Sequence, residues 1–201
     1  MNDSFISRKD RIISSAIEII SDSGLSALTT RNLAIKENMS EALLYKYFGG
    51  INEVLIEVVD YYTRFDKQIR HTFMAKEGAN IQKLRDYLDA YATYYDNYYA
   101  ISTLMLQYEE LLHNIDVREK ISWCIVERQQ FIADLFDKAI KSDEIIDMFT
   151  PEELATNVTG VIMSHILNRR IVYHKKTFRQ ELMGYFDKWF DLLKKDKYED
   201  N

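Results

Sequence analysis

The stretch Leu28 to Phe48, LTTRNLAIKENMSEALLYKYF, leaves the fewest choices open for this chain. Thr29 or Thr30 can cap a helix, because a hydroxyl there accepts an otherwise unpaired backbone N–H. Leu33 and Ala34 give that helix a small apolar face. Asn38 sits where the chain must reverse, and asparagine tolerates the left-handed conformation a tight reversal needs. Ser40 is placed to cap a second helix over 41–47, which Gly49 and Gly50 end. Helix, short turn and capped helix make a helix-turn-helix pattern, whose second helix can enter the DNA major groove. Thr29, Thr30, Arg31, Ser40, Tyr45, Lys46 and Tyr47 have no use in a core. Their hydroxyls and cations, with the helix N-termini, suit phosphate oxygens.

The residues also carry a resemblance. Gly24-Leu25, then Leu28-Thr29-Thr30-Arg31-Asn32-Leu33-Ala34, Met39-Ser40 and Leu44-Tyr45-Lys46-Tyr47-Phe48 together resemble the N-terminal domain of TetR-family transcriptional regulators. The likeness covers roughly residues 8 to 55. It implies base contacts from Glu41, Ala42 and Leu43, phosphate contacts from Tyr45 and Tyr47, and inward packing of Leu44 and Phe48. Two residues depart from the family pattern. Ile51 stands where a lysine usually follows the phenylalanine by three, and Glu41 is acidic where a basic or neutral residue is frequent. A first-turn carboxylate stabilises its helix by about 0.3–1 kcal/mol, which accounts for Glu41 without base recognition, although glutamate can also accept from cytosine N4.

Elsewhere the pattern is helical. One proline and six glycines in 201 residues favour long helices over strands and turns. Ser7 and Asp10 make a cap and a first-turn carboxylate ahead of Ile12, Ile13, Ala16, Ile17, Ile19 and Ile20, and Gly24 stops the run. A long helix is expected over about 51–74, a boundary near 75–80, and helices over 81–97, 100–113, 116–141, 150–173 and 178–195. Leu104, Met105, Tyr108, Leu111 and Leu112 are expected inside the helix over 100–113, with Trp123 and Cys124 inside the next. Thr150-Pro151 with Glu153 is a capping box with proline at the first helical position. Residues 194–201 form a charged tail. The expected architecture is all-α. A three-helix helix-turn-helix DNA-binding head spans residues 1–48, and a helical ligand-binding and dimerisation body spans 49–201.

Charge, cysteine and hydropathy narrow the setting. The net charge is −6, but residues 1–55 hold six Lys/Arg and seven Asp/Glu, so most of the acidity lies outside the head. A near-neutral head permits DNA binding with modest non-specific affinity, since phosphate neutralisation supplies most of that term. The lone Cys124 excludes an intramolecular disulfide and reads as an inert thiol among apolar neighbours. No apolar run approaches the roughly 20 residues that span a bilayer. Met1 to Lys9 lacks the apolar segment of a signal peptide. A cytoplasmic setting is expected.

In the body, Tyr87, Tyr91, Tyr94, Tyr95, Tyr98 and Tyr99 form one broad helical stripe. Core is the first reading. Each buried phenol needs a partner, however, and a partly polar cavity for an amphipathic or aromatic small molecule is the alternative. Tyr91, Tyr94, Tyr95, Tyr98, Met105, Tyr108 and Trp123 would line it, with Met163 and His165 closing it. Asp89 and Asp96 are expected on a solvated face. Glu109, Glu110 and His113 have metal-compatible spacing but lack a second ligand cluster, so they too read as a solvated face. Small residues on the penultimate helix (Gly160, Ser164) and the wide apolar face of the last (Tyr185, Phe186, Trp189, Phe190) suit a four-helix bundle between two copies.

No cofactor, metal or membrane is implied. By resemblance the chain is a homodimeric repressor on pseudo-palindromic double-stranded DNA, released by a small-molecule effector. An enzyme built on the tyrosines lacks any nucleophile–base pair. A helical protein-interaction module with a vestigial head is the other alternative.

Overall fold

The computed structural model describes residues 7–195. Among them the fold is all-α, and the only extended pairing is a single bridge between Ile145 and Lys194. In chain order the helices are α1 (Arg8–Ser23), α2 (Thr30–Lys36), α3 (Glu41–Leu44), α4 (Ile51–Met74), α5 (Asn80–Asn97), α6 (Tyr99–Ser102), α7 (Tyr108–His113), α8 (Arg118–Lys141), α9 (Pro151–Ile171) and α10 (Phe178–Leu193). The expected charged tail lies, from residue 196 on, outside the described residues.

The described residues form two compact units. One comprises the chain up to Arg64 together with Ala100–Ser122, and the other comprises Phe65–Tyr99 and the chain from Trp123 onward. In the first, Ile12, Ala16, Ile20, Leu33, Leu44, Phe48, Val54 and Val58 are all buried. The Tyr62 and Tyr108 hydroxyls, also buried, bond to each other. Lys120 pairs with Asp60 on the surface of this unit.

The second unit is built around α5, which packs along α10. Tyr87, Tyr91 and Tyr95 fill its interior, and the Tyr91 and Tyr95 hydroxyls lie 2.5 Å apart. Phe65 stacks on Tyr94. Among these rings sits a charge cluster, in which Asp66 is only 2% exposed and accepts from Arg128 Nε at 2.7 Å.

Several expectations change here. The helix expected over 100–113 is broken into α6, a 3₁₀ segment (Thr103–Gln107) and α7. The Thr103 hydroxyl donates to the Ala100 carbonyl at 2.7 Å, a local bond that competes with the helical ladder. Leu112, expected inside, is exposed on the six-residue α7. Trp123 is 46% exposed rather than buried. Asp89 and Asp96 do not merely face solvent. Asp96 accepts from the backbone N–H groups of Phe178 (2.8 Å) and Arg179 (2.9 Å), while Asp89 accepts from the Arg179 guanidinium. The start of α10 is therefore capped twice, once by its own Thr177–Gln180 box and once by α5. Cys124 is buried as expected, but its neighbours are Asp66 and Arg128 rather than apolar groups alone. Burial pushes its thiol up to about 12, so it carries no thiolate near neutral pH.

Helix α5 has no capping side chain of its own at Ala79. Glu144, just past α8, supplies one. Its carboxylate accepts from the Asn80 and Ile81 N–H groups, both at 2.9 Å. Burial works to raise this carboxyl, but those two N–H groups, with Ser142 and the Asn80 side chain, hold it below the ordinary glutamate value. A depressed folded-state value contributes stability above the unfolded pKa of about 4.3, and that stability is lost as pH falls through the folded value. Glu144→Ala should therefore cost about 1–2 kcal/mol in urea unfolding at pH 7. The gap to wild type should close progressively below about pH 4.

Candidate nucleic-acid interface

Each end of the α2–α3 pair is set by a residue suited to it. The Thr29 hydroxyl accepts from Asn32 N–H at 3.1 Å and starts α2. Asn38 takes φ of 50°, and Met39 N–H reaches back to the Ala34 carbonyl at 2.9 Å, closing α2 in a left-handed turn. The Ser40 hydroxyl accepts from Leu43 N–H at 3.2 Å and starts α3. The second helix is shorter than expected. It runs only Glu41–Leu44, and residues 45–47 tighten into a turn in which Lys46 and Tyr47 N–H groups bond three residues back, to Leu43 and Leu44.

This geometry sorts the side chains. Leu44 and Phe48 are buried, while Thr29, Arg31, Ser40, Glu41, Ala42, Tyr45, Lys46 and Tyr47 are exposed and Thr30 and Leu43 half-buried. Lys9 of α1 lies over the Phe48 ring and pairs with Glu57 at 2.5 Å. Ion pairs tie α1 to the α2 end: Lys36 with Glu18 at 2.8 Å, and Arg11 with Glu37 at 3.6 Å. Those cations are engaged with carboxylates. Arg31 and Lys46 are exposed at the reading edge.

Glu41 has a partner that spacing alone does not reveal. The Thr30 hydroxyl donates to its carboxylate at 2.6 Å, linking the first turn of α2 to the first turn of α3. The carboxylate thus serves the helix pair, as the helix-dipole account anticipates.

The other expected site residues are dispersed. Tyr91, Tyr94 and Tyr95 lie in the interior of the second unit, and Tyr98 is exposed at the end of α5. Trp123 stands on the surface with Lys67 and Arg70 over its ring. Met105 and Tyr108 are buried in the first unit. Met163 and His165 are half-buried on α9, and His165 meets the edge of Tyr185 on α10. Gly160 and Ser164 are exposed on α9, and on α10 Tyr185 is exposed and Trp189 half-buried. Phe186 and Phe190 turn inward instead and stack on one another beside Phe136, so they belong to the protomer's own core.

Residues 12–58 match the model of the tetR family of bacterial regulatory proteins. No curated protein matches the sequence. Among solved structures, the chain is similar to a ketosteroid transcriptional regulator of Mycobacterium tuberculosis, with TM-score 0.84 and 14% identity over 94% of this chain and 96% of that one. It is also similar to the TetR-family regulator PfmR of Thermus thermophilus, with TM-score 0.75 and 18% identity over 89% and 96%. A third likeness is to the regulator FadR of Bacillus subtilis in complex with stearoyl-CoA, with TM-score 0.68 and 18% identity over 92% and 97%. Fold and reading edge together define a helix-turn-helix DNA-binding regulator. Its head is that of the TetR family, and the chain as a whole has the fold of TetR-family regulators.

Since Glu41 serves the helix pair, removing its charge has two opposed effects. Glu41→Gln should cost about 0.3–1 kcal/mol in thermal unfolding. It should also tighten binding to a non-specific duplex at low salt, because a negative charge leaves the phosphate-facing edge.

Proposed function

We propose that the chain is a cytoplasmic, homodimeric transcriptional repressor that a small amphipathic or aromatic ligand releases from its operator. The observation that carries this reading is the division of the α3 turn. Leu44 and Phe48 are buried, while Tyr45, Lys46, Tyr47 and Arg31 stand exposed with no core to serve. Glu41, Ala42 and Leu43 would face base edges. Thr29, Thr30, Arg31, Ser40, Tyr45, Lys46 and Tyr47 would hold phosphates. Two such heads would enter successive major grooves of a pseudo-palindromic site. The ligand acts by binding one head separation better than the other, since equal affinity for both would shift nothing.

Dimerisation is supported from within the protomer. A Cβ at Gly160 or Gly184 would meet nothing within 4 Å, so neither glycine is required by its own chain. A helical glycine costs about 1 kcal/mol against alanine, and close approach by a second copy would explain keeping two. Leu167, Ile171, Tyr185 and Leu192 add exposed apolar surface to the same two helices. Gly160→Arg should leave the protomer folded by circular dichroism and shift it from dimer to monomer in analytical ultracentrifugation.

The decisive experiment is fluorescence anisotropy with the duplex upstream of the coding sequence. Wild type should bind it. Tyr45→Ala and Lys46→Ala, both at exposed positions, should lose binding with unchanged melting temperature. An interaction module with a vestigial head would bind no duplex even at low ionic strength. With Ile51 in place of a cation and a near-neutral head, the affinity should also fall only shallowly with salt. The expected log–log slope is less steep than about −7, the value for eight phosphates per dimer.

A further inference from the structure

The second unit contains a charge arrangement that the DNA-binding reading leaves unused. Asp66 is one carboxylate between two guanidiniums. Arg128 Nε donates to Oδ1 at 2.7 Å, and Arg70 Nε faces Oδ2 at 3.2 Å. Arg70 is 5% exposed and Arg128 3%, so among the described residues a pair of buried cations shares one buried anion. The next carboxylate, Glu127, is half exposed and stands 3.9 Å from Arg70. Buried charge left without full compensation is costly.

Arg70 is also at a surface. It lines a groove of about 300 Å³ between α4 and α8. The α4 wall is cationic, with Lys67 and His71 beside Arg70, and ends in Met74; α8 contributes Trp123 and Phe131. Glu127 and Asp134 form an acidic far rim. Lys67 and Arg70 both lie within 6 Å of the Trp123 ring, which holds them on the groove side of that residue. Tyr87 lies edge-on against Phe131 with ring centroids 4.9 Å apart, and its buried hydroxyl has no hydrogen-bond partner. Burial raises its pKa, and Asp66 and the two arginines act on it electrostatically. One face of the groove therefore carries unspent positive charge, and the other is apolar.

We propose that this groove binds a small amphipathic carboxylate. Its oxyanion sits on Arg70 with Lys67 beside it, and its hydrocarbon lies over Met74, Trp123 and Phe131. Asp66 already neutralises one of the two buried guanidiniums, so a single negative charge completes the balance. A dianion would meet the acidic rim. A planar carboxylate also matches the forked donors of arginine. At ~30 Å³ per heavy atom in a liquid, the groove admits about ten such atoms, the size of octanoate. This deepens the effector reading and rests on it only for the consequence at DNA, because the binding itself belongs to the protein alone.

The test is isothermal titration calorimetry of the full-length protein with octanoate, 1-octanol and octyl phosphate. Octanoate should bind about tenfold tighter than octanol or more, as a charge-assisted hydrogen bond implies, and tighter than octyl phosphate. Arg70→Gln should bring octanoate and octanol level. Lys67→Gln, at an exposed position, should weaken octanoate about two- to fivefold without changing octanol. Trp123→Ala should weaken all three ligands together. The last two variants decide the matter should Arg70→Gln fail to fold. Equal affinity for octanoate and octanol, a preference that survives Arg70→Gln, no binding at all, or tightest binding of octyl phosphate would each overturn the assignment. Operator binding measured in parallel separates the two readings. A protein that binds its duplex but shows no carboxylate preference loses the groove alone, and one that takes octanoate but binds no duplex loses the regulator reading alone.

Discussion

The burial of Leu44 and Phe48 is the constraint on which the head depends. A helix of four residues cannot hold itself, because nucleation fixes several dihedrals for a single hydrogen bond. Packing has to supply the difference. Fully burying a leucine and a phenylalanine stabilises by about 1.5–3 kcal/mol each, which is enough to fix α3 and the turn after it. With those two side chains inward, the period of the turn forces Tyr45, Lys46 and Tyr47 outward. The reading edge is thus the remainder left by a packing decision. Whatever contacts DNA is positioned by residues that never touch it.

The same logic explains why the ends of α2 and α3 are built from side chains rather than bulk. Thr29, Asn38 and Ser40 each satisfy or redirect a backbone group within three to five residues, so the turn is specified locally. These short-range devices are legible in a sequence because donor, acceptor and backbone all lie in one window. The ends of α4, the capping box at Thr150 and the position of Asn38 follow for that reason. The helix starting at Thr177 has a local box as well. Its second cap, Asp96, lies more than eighty residues earlier and leaves no local trace.

Features that depend on distant partners were hidden for a consistent physical reason. Glu144 sits 64 residues from the helix it caps, and the Thr30–Glu41 bond joins two first turns whose separation in sequence matches no helical spacing. The aromatic stripe had the opposite problem. Its period shows that Tyr87, Tyr91, Tyr94 and Tyr95 share a face, but period alone cannot say whether that face meets a cavity or other rings. The answer came from Phe65, Phe131 and Phe178 on three other helices, which close on the stripe. Trp123 and Phe186 show the same ambiguity in miniature. Both fall on apolar stripes, yet one stands in solvent beside two cations and the other is sealed in the core.

Buried charge in an all-helical body is the feature least explained by folding alone. Asp66, Arg70 and Arg128 occupy positions where leucine or methionine would pack at no electrostatic cost, and replacing such a cluster with apolar residues is often neutral or stabilising. A structural role would be served best by equal numbers of each sign. The observed imbalance, two guanidiniums to one carboxylate, is placed where one cation also borders a solvent-reachable groove. A protein that only needed a stable core would bury the imbalance completely or remove it. Keeping it at the edge of an opening makes sense if something negative arrives there, and the energy that the empty cluster forgoes then becomes the selectivity with which the arriving group is chosen.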